Sequence, residues 1–246
     1  MTLSKGKVVR QSAFGTTRWS LVLTAGRGDA SAAEVALEEL CQIYWYPLYT
    51  YLRRRGYAET DAEDLTQEFF AWLLKRNWLS TADPQRGRFR SFLQVSFNRF
   101  LANEWDKTQA QKRGYGRTIS LSWDDPESHC RWEPVDHLTP EQNYDRCWAL
   151  TLLDQVLNRL MAEYADQGKS NLYEELKPCL LGEQATPSYA ALGSKLGMTE
   201  GAVKVSVHRL RQKYRRTLQD EIAKTVVKPE EIEDEIRHLF SVLSRR

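Results

Sequence analysis

The stretch TPSYAALGSKLGMTEGAVKVSVHRLR, Thr186 to Arg211, reads residue by residue as a helix, a tight turn and a second helix. Thr186 is placed to cap the first helix with Pro187 at its first position. Gly197 suits the left-handed conformation that ends it, and Thr199 caps the second. In the second helix Val203, Val207, Leu210 and Tyr214 recur at helical spacing and are expected to pack on Leu192 and Leu196. Lys204, His208, Arg211 and Arg215 fall along another face that stays free for a groove. Such a helix-turn-helix points to DNA as a partner. The alternative is a three-helix packing unit whose basic face is merely solvated; agreement of turn, caps and cationic face favours DNA.

Composition bounds the rest. The chain has 246 residues, 41% of them hydrophobic, enough for one or two real cores. Its net charge is only +2, so a nucleic-acid surface has to come from local clustering. One cluster runs from Arg86 to Arg117 (Arg86, Arg88, Arg90, Arg99, Lys107, Lys112, Arg113, Arg117), opposed there only by Glu104 and Asp106. Acidic residues gather instead at Glu59–Glu68 and Glu230–Glu235. Cys41, Cys130, Cys147 and Cys179 are scattered and no signal peptide is visible, which suggests a reduced, cytoplasmic protein. No stretch approaches the roughly 20 apolar residues of a membrane span. His129, Cys130, His137 and Cys147 invite a zinc reading, but their spacing is irregular, and no metal or cofactor is expected.

Two helical blocks organise the chain. Ala33–Arg55 carries Val35, Leu37, Leu40, Ile43, Tyr44, Leu48, Tyr51 and Leu52 at helical steps, with Pro47 placed to kink or divide it. A capping box, Thr60 with Glu63, is expected to open the next helix, which runs to about Lys75. A long helix follows from about Phe89 to Lys107. Residues 114–138, with Gly114, Gly116, Pro126 and Pro134, have the marks of a linker. Thr139-Pro140-Glu141-Gln142 reopens helix with a second capping box. A shorter helix at Leu172–Leu181 precedes the helix-turn-helix, and a last helix spans about Pro229 to Leu243. No alternation long enough to build a sheet is present.

The segment DAEDLTQEFFAWLL, Asp61 to Leu74, resembles the core-polymerase-binding helix of bacterial sigma-70-type factors, particularly the small extracytoplasmic-function (ECF) group. FRSFLQVSFNRFLANEW, Phe89 to Trp105, is similar to the promoter-melting helix that follows in those factors. The family commonly has Trp where Phe92 stands and Tyr where Gln94 stands. GAVKVSVHRLR, Gly201 to Arg211, resembles their recognition helix. A lone helix-turn-helix is a weak signal, whereas three blocks in the family's order are a strong one.

The chemistry of each block suits the role that the resemblance implies. In the Asp61 helix, Leu65, Phe69 and Leu73 share a buried stripe. Asp61, Asp64, Gln67 and Glu68 emerge on another face, and the resemblance gives them the clamp helix of the polymerase's largest subunit. The plain alternative is a solvated acidic face beside a helix N-terminus. In the basic block, Arg86, Arg88, Arg90 and Arg99 are candidates for phosphates, with Phe92, Asn98 and Trp105 as candidate contacts to the −10 element. Burial remains the alternative for Phe92 and Trp105, whereas Phe89, Leu93, Phe97 and Leu101 are expected in the core. The resemblance assigns contacts with the −35 element to Thr199, Lys204, Val205, His208, Arg209 and Arg211.

The expected architecture is all-α, with two helical domains joined by a flexible linker. Residues 1–32 form an N-terminal extension, 33–113 a region 2-like domain, 114–138 the linker, 139–222 a region 4-like domain and 223–246 a C-terminal extension. In the first extension Phe14–Leu23 offers Trp19, Leu21 and Leu23 for docking. In the last, Ile232, Ile236, Leu239, Phe240 and Leu243 line one side of a helix that packs on the DNA-binding domain, takes a protein partner, or masks the chain's own surface. The implied function is a transcription initiation factor that binds core RNA polymerase and promoter DNA and assists melting. A regulatory protein such as an anti-sigma factor is a further partner class. The alternative is a helix-turn-helix regulator that never joins the polymerase. An enzyme reading would recruit Asp61, Asp64 and Glu68 as metal ligands, but no histidine accompanies them, so no catalytic residue is expected.

Overall fold

The computed structural model describes residues 30–75, 88–110, 137–181, 187–226 and 228–244. Every regular element among them is helical, as the patterning implies: α1 (Ala30–Arg54), α2 (Glu59–Lys75), α3 (Phe89–Ala110), α4 (Pro140–Asp166), α5 (Ser170–Leu176), α6 (Pro178–Leu181), α7 (Tyr189–Leu196), α8 (Glu200–Ala223), a 3-10 turn (Pro229–Glu231) and α9 (Ile232–Leu243). The Phe14–Leu23 stretch, Arg86, and all of the linker before His137 lie outside the described residues.

Pro47 lies inside α1 without dividing it. Its missing N–H removes one helix bond, but Tyr44, Leu48, Tyr51 and Leu52 on either side are buried, and their packing carries the helix through. The Pro47 carbonyl accepts a bond from Thr50 Oγ1 at 3.1 Å. The expected capping box of α2 is corrected, the helix starting two residues earlier: Ala58 O already accepts from Ala62 N at 2.9 Å, so Thr60 lies within the first turn. Glu59 and Asp61 in that turn complement the positive end of the helix instead. At α4 the second box is present as expected. Thr139 Oγ1 accepts from Gln142 N at 3.2 Å, and Gln142 Oε1 accepts from Thr139 N at 3.0 Å. The single helix expected at Leu172–Leu181 is two, α5 and α6, parted at Lys177 before Pro178, which has no N–H to continue the ladder.

Aromatic side chains form the centre of the first block. Phe69 of α2 meets Phe97 of α3 edge-on at 4.7 Å, and Tyr44 of α1 meets Phe89 of α3 at 5.3 Å. Phe89, Leu93, Phe97 and Leu101 are all buried, as their spacing implies. The buried cluster does not stop at the linker. It runs through Tyr144, Trp148, Ala149 and Leu152 of α4 into Leu192, Val203, Val207 and Leu210 of the helix-turn-helix and on to Leu239 of α9. Polar bonds follow the same seam. Tyr51 Oη donates to Asn98 Oδ1 at 2.9 Å, and Tyr144 Oη donates to the Arg90 carbonyl at 3.1 Å. With Trp148 and Tyr144 almost wholly buried, each at about 1.5–3 kcal/mol, α4 is a shared wall between the two blocks.

The last helix departs from its expected apolar side. Phe240 is 52% exposed, whereas Glu235 is fully buried beside Leu239 and Val242. The inward stripe is therefore Ile232, Glu235, Leu239 and Val242, one step round the helix from the stripe through Phe240.

Candidate nucleic-acid and protein interfaces

The helix-turn-helix is built by caps at both of its starts. Ser188, not Thr186, caps α7: its Oγ accepts from Ala191 N at 3.2 Å, with Pro187 just outside the helix. Ser188 wins because its hydroxyl stands three residues before that donor, the reach that an N-cap needs. Gly197 has φ +64°, the left-handed turn expected of it, and Thr199 Oγ1 accepts from Ala202 N at 3.2 Å to start α8. Gly193 adds a feature missed in the sequence. A Cβ there would lie 2.7 Å from the Met198 carbonyl oxygen, so hydrogen alone lets the turn fold back onto α7. Nothing local distinguishes that glycine from a helical alanine, since the neighbour arrives through the turn.

With α7 and α8 locked, Val203, Val207 and Leu210 are buried and Lys204, Val205, His208, Arg209, Arg211 and Arg215 are exposed. Lys204 Nζ pairs with Glu200 at 2.8 Å across one helical turn, and that hydrogen bond raises the lysine's pKa. Arg211 Nη2 donates to the Cys179 carbonyl at 2.9 Å. That bond ties the cationic face to α6. His208, Arg211, Gln212, Arg215, Arg216 and Gln219 line a groove of about 450 Å³ along the same helix.

On α2, Asp61, Asp64 and Glu68 are exposed and Gln67 is half-buried, while Ala62, Thr66, Phe69, Phe70 and Leu73 face the core. Leu65 is half-buried at the edge of that stripe. The acidic surface and the packed surface are thus separate faces of one helix.

The melting-helix candidates separate into different environments. Asn98, Arg99 and Trp105 are exposed on α3, with Trp105 at 62%. Asn98 is already engaged, its Oδ1 accepting from Tyr51 and from Arg55 Nη1 at 3.2 Å. Phe92 is half-buried against the core. Arg90, expected on the DNA face, is 6% exposed. Its Nε lies 2.9 Å from Glu235 Oε1 and its Nη1 2.7 Å from Asp145 Oδ1 and 2.9 Å from His238 Nε2. Its guanidinium also lies over the Trp148 ring at 4.9 Å. Arg88 Nε reaches the other Glu235 oxygen at 2.7 Å. Burial raises the Glu235 pKa, against the opposing pull of Arg90 and Arg88.

Glu235 and Asp145 are the residues that sequence reading passed over. A usable signal existed: Glu235 stands three residues after Ile232, four before Leu239 and seven before Val242, an acid within an apolar helical stripe.

Comparison with protein-family models gives no match, and no solved structure matches. One similar curated protein is the ECF RNA polymerase sigma factor SigE of Mycolicibacterium smegmatis, 28% identical over 191 residues. The match spans 76% of this chain and 64% of that protein's length. The chain is thus similar, over somewhat less than two thirds of that relative's length, to an extracytoplasmic-function sigma factor, and it carries its acidic, basic and helix-turn-helix blocks in the order described above.

Proposed function

We propose that the protein is a transcription initiation factor that joins core RNA polymerase, recognises bipartite promoters through −35 and −10 elements, and assists their opening. The observation that carries this reading is the exposed cationic face of α8 on a capped helix-turn-helix, in a chain that also presents Asp61, Asp64 and Glu68 on α2. Lys204 and Arg209 offer donors suited to guanine edges or phosphates, and Val205, 49% exposed, is suited to a thymine methyl. The acidic face of α2 is suited to a basic helix of the polymerase clamp, while Arg99 and Trp105 of α3 supply a cation and a stacking ring for a separated strand. In this reading the polymerase does the bond-making in the cytoplasm, and the protein contributes binding energy and position. A regulatory protein of the anti-sigma class is a further partner of the same reading.

Affinity for purified core polymerase tests the assignment. Submicromolar, saturable binding that is competed by another sigma factor is the expected result. Duplex DNA binding by a folded protein with no polymerase association would favour an independent helix-turn-helix regulator.

A further inference from the structure

We propose that α9 is an intramolecular latch: Glu235 holds Arg90 of α3 inward and pairs with Arg88 just before that helix, so that the free protein keeps two cations engaged that unpaired DNA would otherwise take. The inference rests on the promoter-opening role proposed above for α3. Three elements meet at this point. Glu235 comes from α9, Asp145 and Trp148 from α4, Arg90 from the start of α3 and Arg88 from just before it. The oxygens that hold the guanidinium groups are carboxylates, the chemistry that a DNA phosphate would offer to the same donors. Arg90 therefore cannot serve both: a phosphate contact requires Glu235 and Asp145 to let go.

Simple completion of the core does not call for this residue. An apolar side chain at position 235 would continue the stripe of Ile232, Leu239 and Val242, and a buried ion pair generally gives no stability advantage over such packing. A buried acid does make the contact specific for Arg88 and Arg90. Beyond the buried Leu239 and Val242, the α9 seat is light. Ile232, Ile236 and Leu243 are half-exposed, Phe240 faces solvent, and the Gln219–Glu233 hydrogen bond is long at 3.5 Å. His238, 3.7 Å from Asp145 Oδ2, closes the outer side of the cluster.

The test uses the full chain without polymerase. Glu235→Gln and, independently, Asp145→Asn are compared with wild type for anisotropy-measured binding of a fluorescein-labelled single-stranded oligonucleotide. In parallel, spin labels at Ser91→Cys and Arg237→Cys, with Cys130→Ser, report the α3–α9 distance. If one wild-type molecule in ten is open, release raises affinity roughly tenfold. The expected result is a broadened distance with that gain, and loss of the gain when Arg88→Ala and Arg90→Ala are added. Folded variants with unchanged distances, an opened variant with no gain, or a gain that survives loss of both arginines would each overturn the proposal. Polymerase binding by the wild type is scored separately. Its failure with an intact latch response would sink the initiation-factor reading and leave the latch standing.

Discussion

Gly193 illustrates how one missing methyl group sets the geometry of a binding surface. Its Cβ position lies 2.7 Å from backbone oxygen, which cannot rotate aside as a side-chain tip would. Gly193→Ala is expected to destabilise the protein by about 1–3 kcal/mol, the usual range for overpacking. Urea unfolding followed by helical circular dichroism reads this; an unchanged midpoint would show that α7 and the turn separate freely. Gly201 is the contrasting case, with nothing within 4 Å of its Cβ position. Gly201→Ala is expected to stabilise α8 by about 0.5–1 kcal/mol through helix propensity alone, and a lower midpoint would contradict the open space seen there. Gly197 was legible in the sequence because it follows a helix and precedes a cap. Gly193 was not, because its constraint comes from a carbonyl five residues later that only the folded turn brings close.

At the scale of elements, amphipathic helices separate packing from binding, and mutations can address one face at a time. Asp64→Lys with Glu68→Lys changes only exposed positions of α2. Core-polymerase affinity is expected to fall while helical content stays constant. Two exposed pairs at about 0.2–1 kcal/mol each imply up to roughly a thirtyfold loss, and unchanged affinity in the folded variant would remove α2 from the interface. Lys204→Ala with Arg209→Ala is expected to weaken binding to upstream promoter duplex with little effect on stability, because the Lys204–Glu200 pair lies on the surface. Equal damage to duplex binding and to permanganate reactivity of melted thymines would contradict a division of labour between α8 and α3. Helix faces were readable wherever the apolar repeat was undisturbed, as in α2 and α8. In α9, hydrophobicity alone drew Phe240 inward, whereas the available cations on α3 and α4's acidic and aromatic side chains turn Glu235 inward instead.

At the scale of the whole molecule, the buried cluster crosses from the first helical block through α4 into the helix-turn-helix. The order of the blocks could be read locally, because each carries its own caps and periodicity. Their mutual packing could not, since Arg90 in a basic run and Glu235 in an acidic helix each read as solvated until their elements meet. Deleting residues 229–246 removes the buried Leu239 and Val242 together with Glu235, so masking and core completion coincide in α9. The truncated protein is expected to melt at a lower temperature, at about 1.5–3 kcal/mol for each fully buried apolar side chain lost, and an unchanged melting temperature would deny α9 a structural role. In vitro transcription with purified core polymerase on a library of promoter fragments is the decisive measurement of the proposed promoter-specific initiation. The expected result is transcripts from a defined subset of fragments that depend on the added protein and are lost when Lys204 and Arg209 are both alanine. Folded protein that leaves core polymerase with no promoter-specific transcripts across the library would contradict it.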